Sequence, residues 1–477
     1  MNNTKLATLG AILMLAGCAN LNLFPPFQKP AVETPAAWPG LPANAKAYDN
    51  AQWWKVYGDV TLNQLVEEAL SHNEDIVIAS ARIDEARAQL TLADAETDPT
   101  LTATFTPSYS RSTQRGTNPL PPSFRARSRD YMARINASYE IDLWGKLRGA
   151  TAAARANLLA TEAARDTVRN SLTAQVAQGY FALLALDAQI ETTRRTQETR
   201  QAALKLQQLR MQSGVSSEFE VRQVEADLAT VQAQTPALER NRTQQQNALA
   251  ILLGRSPREV VQGKVVRGSP AAPAEPVVPA GLPSELLLRR PDLREAEQRL
   301  IAANANIGVA RAAYYPSITL TGYFGGESNS LADLFVGPAR IFRFAGELLQ
   351  PIFNGKRIGA SVDVAKASEQ QVLAQYRQAI ASAFRDVQDA LAAQQSAREV
   401  LVAEHAHVDA LQKGLTLAKL RYENGISSQL DLLDAERNLL QAQLNLTEAE
   451  RAQRAAVADL FKAMGGGWNS EQEAKSS

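Results

Sequence analysis

Two kinds of hydrophobic alternation run along this chain, and each occurs twice. From Leu62 to about Glu96 apolar residues recur at helical spacing: Leu62, Leu65, Val66, Ala69, Leu70, then Ile76, Ala79, Ile83, Ala86 and Leu90. His72-Asn73 interrupts the run and Asp98-Pro99 ends it. The period then falls to two. Leu101, Ala103, Phe105, Pro107 and Tyr109 alternate with Thr102, Thr104, Thr106, Ser108 and Ser110. After a polar, Pro-containing loop over about 111–129, Tyr131, Ala133, Ile135, Ala137, Tyr139, Ile141 and Leu143 alternate with Met132, Arg134, Asn136, Ser138, Glu140 and Asp142. Strands of about ten residues can cross a bilayer as tilted β-structure, and aromatic residues near their ends suit a membrane interface. Trp144-Gly145-Lys146 closes the hairpin. A helical pattern then runs unbroken to Gln212, nearly 100 Å at 1.5 Å per residue. A second helix spans about 217–253, with a kink expected at Pro236. The Pro- and Val-rich stretch from Gly254 to Pro283 reads as a linker.

The cycle then recurs. Residues 282–319 match 65–102, with Asp292 on Asp75 and Pro316 on Pro99. Ile318, Leu320, Gly322 and Phe324 alternate with polar neighbours, and a fourth strand is expected over about 340–350. Gly425 falls on Gly214 and Gly465 on Gly254. A repeat of this size means one architectural unit built twice. The expected divisions are a signal segment (1–17), an extended Pro- and Trp-rich segment (18–61), a first repeat (62–281, hairpin 100–144, linker 255–281), a second repeat (282–465, hairpin 316–353) and a tail (466–477).

Composition adds little chemistry. Lys plus Arg and Asp plus Glu both number 50, so nothing electrostatic argues for a nucleic-acid partner. His405-x-His407 has no third ligand nearby, and no P-loop, nucleophile triad or dinucleotide loop appears. Neither a metal, a cofactor nor an enzyme activity is expected. The N-terminus says more. Lys5 precedes an apolar run from Leu6 to Leu15, too short to span a bilayer as a helix. Leu15-Ala16-Gly17-Cys18 follows, resembling the bacterial lipoprotein signal in which the Cys is lipidated and becomes the mature N-terminus. Ala19 is not the Asp that tends to retain such proteins at the inner membrane, so the resemblance points to the outer membrane. Cys18 is the one cysteine of the chain, so no internal disulfide is possible.

Four membrane-length strands cannot close a barrel, because edge groups would stand unpaired in lipid. Copies must share one. A dimer would give eight strands and a filled interior, a trimer twelve and an open pore; Arg134, Glu140, Asp142 and the many Thr and Ser of the polar strand faces favour the trimer. Helices of about 100 Å make the same demand, since they bury an apolar face only side by side in a closed ring. The expected fold is mainly α with transmembrane β, a shared twelve-stranded barrel continued by an α-helical one.

On these residues the chain resembles the TolC-like outer-membrane factors, and most closely their lipoprotein branch, typified by OprM. The most specific match is Leu288-Arg289-Arg290-Pro291-Asp292-Leu293-Arg294-Glu295-Ala296-Glu297, and Arg421-Tyr422-x-x-Gly425-x-x-Ser428-x-x-Asp431-x-x-Asp434 matches as well. Locally the first is also a good helix start, with Pro291 at the first position and Asp292 in the first turn. The resemblance implies a homotrimeric exit duct for drugs or other toxic small molecules. Its implied partners are a periplasmic adaptor and an inner-membrane RND-type transporter; alternatives are a protein-secretion duct or an envelope-tethering lipoprotein. Adaptor docking falls on Gly214, Val215, Ser216, Ser217 and on Gly425, Ile426, Ser427, Ser428. Leu430, Asp431 and Asp434 are the expected constriction, although Ser428-x-x-Asp431 and Ser217-x-x-Glu220 also read as capping boxes. Arg421, Tyr422 and Glu220 are the expected gate-locking links, with Tyr422 bonding Glu220 of the neighbouring hairpin. Ser427 stands where the family carries a basic residue.

Overall fold

A computed structural model describes residues 23–35, 38, 52–113, 115, 121, 123, 126–268 and 283–466. The signal segment, Cys18, the linker after 268 and the tail after 466 lie outside the described residues. A 3₁₀ turn at Trp53–Tyr57 precedes α1 (Val60–His72), which starts where the buried Asp59 accepts from the Thr61 and Leu62 amides. The segment before 62 is thus not wholly extended. α2 (Glu74–Ala95) follows, then β1 (Thr100–Arg111), β2 (Arg127–Ile141), α3 (Lys146–Gln212) and α4 (Glu218–Leu252). A short α5 (Pro257–Gln262) is next. The second cycle is α6 (Pro283–Arg289), α7 (Pro291–Ala312), β3 (Ser317–Ser328), β4 (Arg340–Leu349), α8 (Arg357–Glu423) and α9 (Gln429–Ala463). Corresponding helices have equal lengths: 22 residues in α2 and α7, 67 in α3 and α8, 35 in α4 and α9. Pro236 sits inside α4 without ending it, and β2 stops at Ile141 because Asp142 turns back to accept from the Arg148 amide near the start of α3.

The chain forms two compact units. One holds the segment up to Ala31 with Ile83–Thr161 and Glu295–Tyr376. Its centre is an antiparallel sheet in the order β1-β2-β3-β4. The register places Phe105 opposite Ala133, Ile135 opposite Phe324 and Phe324 opposite Phe342, so these apolar residues of all four strands share a face. Thr102, Asn136, Tyr323 and Arg343 share the other. β1 and β4 each pair on one side only. Trp144 joins the two hairpins: its indole N–H donates to the Pro316 carbonyl at 2.7 Å, and its ring packs on Tyr315.

The N-terminal segment is strapped to this unit. Asn304 donates to the Pro25 carbonyl at 2.9 Å, and Lys29 pairs with Glu297 at 2.7 Å. Just before them the Phe24 ring sits in a socket of three glycines from α7 and the start of α3. A Cβ on Gly308 would lie 2.0 Å from the ring, on Gly149 2.4 Å, and on Gly145 2.9 Å. Only glycine leaves room for it.

The other unit comprises Val32–Arg82, Glu162–Arg294 and Arg377–Ser477. Here Trp53 stacks on Phe461, Tyr57 meets Phe181 edge-on, and the Tyr180 hydroxyl donates to Asp59 at 2.7 Å. The two cycles close their long helices alike. α4 ends at Gly254 (φ 70°) and α9 at Gly465 (φ 95°), left-handed positions that suit glycine. Gly254 lies against the α1–α2 break and Gly465 against the α6–α7 break, where a Cβ would lie 2.0 Å from the His72 carbonyl oxygen and 3.1 Å from that of Arg289. The residue in each break donates to the last turn of the long helix: Asn73 to the Leu252 carbonyl and Arg290 to the Ala463 carbonyl, both at 2.9 Å. Arg290 also grips Asp292 and Asp386, and Arg294 grips the buried Asp166.

The socket makes Phe24 and Gly308 interdependent. Phe24→Ala and Gly308→Ala are each expected to expose residues 23–31 to limited proteolysis. The double variant is expected to be no worse than the worse single one, because one docking event is lost in all three; additive effects would show that the ring and the glycine act separately.

Candidate gate at the hairpin turns

Both helical hairpins turn by the same device. At Gly214 and Gly425 φ is 72°, the Val215 amide donates to the Arg210 carbonyl and the Ile426 amide to that of Arg421, both at 2.9 Å. Each turn is thus a six-to-one bond closed by a left-handed glycine. Ser217 and Ser428 then start the next helices as capping boxes, with Glu220 and Asp431 returning the bond. Val215 and Ile426 are exposed at 67% each, with Gly214, Ser217, Gly425 and Ser428 also exposed, whereas Ser216 and Ser427 are half-buried.

The predicted site residues divide between these tasks. Asp431 accepts from the Ser428 amide and hydroxyl at 3.0 and 2.9 Å, so in this chain its carboxylate is engaged in the cap. Asp434 is exposed and pairs with Arg437 one turn on. Leu430 is 46% exposed, and Arg421 is exposed beside the turn. Within the chain the expected bond between Tyr422 and Glu220 is not formed. The Tyr422 hydroxyl accepts from Arg210 at 2.8 Å, and the Arg210 guanidinium lies over its ring at 5.5 Å. Glu220 is held by Ser216 and the Ser217 amide at 2.6 and 2.8 Å, and Ser216 in turn accepts from the buried Gln207. These bonds all fall on one oxygen of the Glu220 carboxylate. The bond from Ser216, then that from the Ser217 amide, hold the Glu220 carboxyl below the ordinary range, with Arg210 adding to it. His407 lies beside Glu404, and no group of three or more His, Cys, Asp or Glu that could hold a metal occurs among the described residues.

A second constellation carries no sequence motif. Arg200 on α3 and Asp227 on α4 are 1% and 2% exposed and pair at 2.7 Å. From α9, Glu436 reaches Arg200, and Arg437 reaches the other oxygen of Asp227 at 2.5 Å. The four charges balance and bind three helices into one layer, about 20 Å along the helix from Gly214 at 1.5 Å per residue. Burial lowers the Arg200 pKa against the pull of Asp227. In helices rich in Gln, Glu and Arg these residues look like solvated positions, and the only advance signal was the apolar neighbours Val224, Leu228 and Val231 around Asp227.

A mainly helical chain with a membrane-length sheet open at both edges and paired glycine-turned hairpins defines the class: a wall segment of a channel. The model of the outer membrane efflux protein family matches residues 65–255 and 282–466, and the chain belongs to that family. It is 34% identical over 472 residues to the cation efflux system protein CusC of Escherichia coli, covering 98% of this chain and 100% of that one. It is 36% identical over 473 residues to the solvent efflux pump outer membrane protein SrpC of Pseudomonas putida, covering 97% and 98%. The crystal structure of the Campylobacter jejuni CmeC outer membrane channel superposes with a TM-score of 0.90 at 26% identity, over 95% of this chain and 98% of that one. The chain is an outer-membrane channel protein and not an enzyme.

Removing one partner from the buried layer strands the others. Asp227→Leu is expected to cost about 3–5 kcal/mol, and Arg200→Met with Asp227→Leu to recover part of it, read as shifts of the thermal midpoint in detergent. An additive double variant would deny the coupling. Glu220 supplies a pH test. Its folded pKa lies below its unfolded one, so the cap's contribution is present above the unfolded value, about 4.3, and is lost as pH falls through the folded value. Ser216→Ala is expected to move the Glu220 titration upward in carboxyl-carbon NMR; an unmoved midpoint would remove Ser216 from the cause.

Proposed function

We propose that three copies of this chain share one barrel of twelve strands and a helical tunnel, forming the passive exit duct of a tripartite efflux system. The observation that carries this reading is the pair of open edges on β1 and β4, on a sheet with one continuous apolar face. In hydrocarbon such edges must find partners, and a second and third copy offer matching ones. Strands of 10 to 15 residues suffice to span a bilayer. No helix among the described residues is long and apolar enough to do so. Cys18 carries the lipid anchor, and the exposed turns at 214–217 and 425–428 receive the periplasmic adaptor.

The sequence carries no P-loop, and the driving force comes from an inner-membrane transporter, which also selects the cargo. CusC is named for cations and SrpC for solvents, so similarity to both supports a duct that does not itself choose. The tunnel narrows where Leu430, Asp431 and Asp434 from three copies meet, and Tyr422 on Arg210 ties the second hairpin to the first and keeps it shut. Opening needs that bond released while the buried layer above it holds.

Cysteine pairs, one on the outer edge of β1 and one on the outer edge of β4 of the same chain, are expected to cross-link copies into covalent trimers on oxidation. The purified protein is expected to conduct ions in planar bilayers, and Tyr422→Phe to conduct more. A stable, non-conducting monomer would sink the proposal, and unchanged Tyr422→Phe conductance would sink the lock alone.

A further inference from the structure

The loop end of the β1–β2 hairpin carries a basic cluster that neither the duct nor its gate employs. The register sets Arg111 directly opposite Arg127, and Tyr109 opposite Arg129. All three arginines therefore share the face of Phe105, Ile135 and Phe324, at the end of its apolar band. Asp130, the acid that follows Arg129 in sequence, alternates to the opposite face. The three side chains are exposed. Arg129 lies over the Tyr109 ring at 5.9 Å. Like charges facing each other across a strand pair are destabilising, so the Arg111–Arg127 pairing calls for an anion between them. Residues two apart on a strand are about 6.8 Å apart and cross-strand neighbours about 5 Å, a triangle that three guanidiniums can close on one phosphate. Guanidinium is the side chain suited to bidentate phosphate contact.

We infer that Arg111, Arg127 and Arg129 form a binding site for the phosphate-bearing headgroup of a membrane lipid. The lipid, rather than a free anion, is favoured by what adjoins the cluster. Tyr109, Tyr131, Phe105 and Ala133 continue the same face away from the loop, a surface an acyl chain can lie against and inorganic phosphate cannot use. The inference rests on the reading of this face as the lipid-facing wall of a shared barrel.

The test uses the full-length protein in dodecyl maltoside, titrated with diphosphorylated lipid A and with the same lipid stripped of its phosphates, bound lipid being counted by native mass spectrometry. Arg111→Ser/Arg127→Ser/Arg129→Ser is expected to bind the phosphorylated lipid about a hundredfold more weakly, and Arg127→Ser alone about fivefold, at roughly one arginine-to-surface contribution each. Binding of the stripped lipid is expected to be unchanged. The triple lysine variant keeps the charge and is expected to stay within about tenfold of the parent. Equal binding of phosphorylated lipid by parent and serine variants would overturn the inference, as would full displacement by millimolar inorganic phosphate. Conductance in neutral-lipid bilayers separates the two readings: a parent that conducts but ignores the phosphate loses the lipid site and keeps the duct, whereas one that forms no channel loses both.

Discussion

The constraint on which the rest depends is the obligation of every backbone N–H and C=O to find a partner where water is absent. Two hairpins give this chain one sheet with two unanswered edges, β1 and β4. In water such edges are a liability; in hydrocarbon they are prohibitive. Association is therefore part of folding for this protein. The matched lengths of the two cycles follow from the same demand, since a wall assembled from repeated staves closes evenly only if the staves are equal.

The joints between staves combine apolar packing with backbone caps. Asn73 and Arg290 occupy equivalent breaks and satisfy equivalent carbonyls, yet one is a small amide and the other a long cation. The larger group does more: Arg290 closes the end of α9 and also draws in Asp292 and Asp386. This gives the decapeptide from Leu288 to Glu297 a physical purpose. It is a structural junction, which is why it contains charges and a proline but nothing with the geometry of catalysis.

Much of this was readable in advance because long elements with strong periods leave little choice. The strands, the 67-residue helices and the glycine turns all follow from local pattern. α5 was missed although its signal was present: Ser256-Pro257-x-Glu259 is a capping box with proline at the first helical position, hidden in a stretch that composition marks as linker. Phe24 was lost among prolines, since its socket is built from glycines up to 284 residues away. Within one chain Tyr422 meets Arg210 of the other hairpin, a contact without a local signal, and the cap that holds Glu220 shows only once the turn is folded. The buried layer of Arg200, Asp227, Glu436 and Arg437 has no local signature at all. A charge is recognised as buried only when the helices around it are in place.

That layer also tells something about the chain's ancestry. Across the repeat, Leu411 stands where Arg200 does, Asn438 where Asp227 does, and Ala226 where Arg437 does. Only Glu436 has a like residue there, Glu225, so three of the four positions differ between the halves. A gene that duplicated its second half in place of the first would supply neither the buried arginine nor its aspartate. Replacing one half by a copy of the other would therefore remove the buried pair that joins the helices.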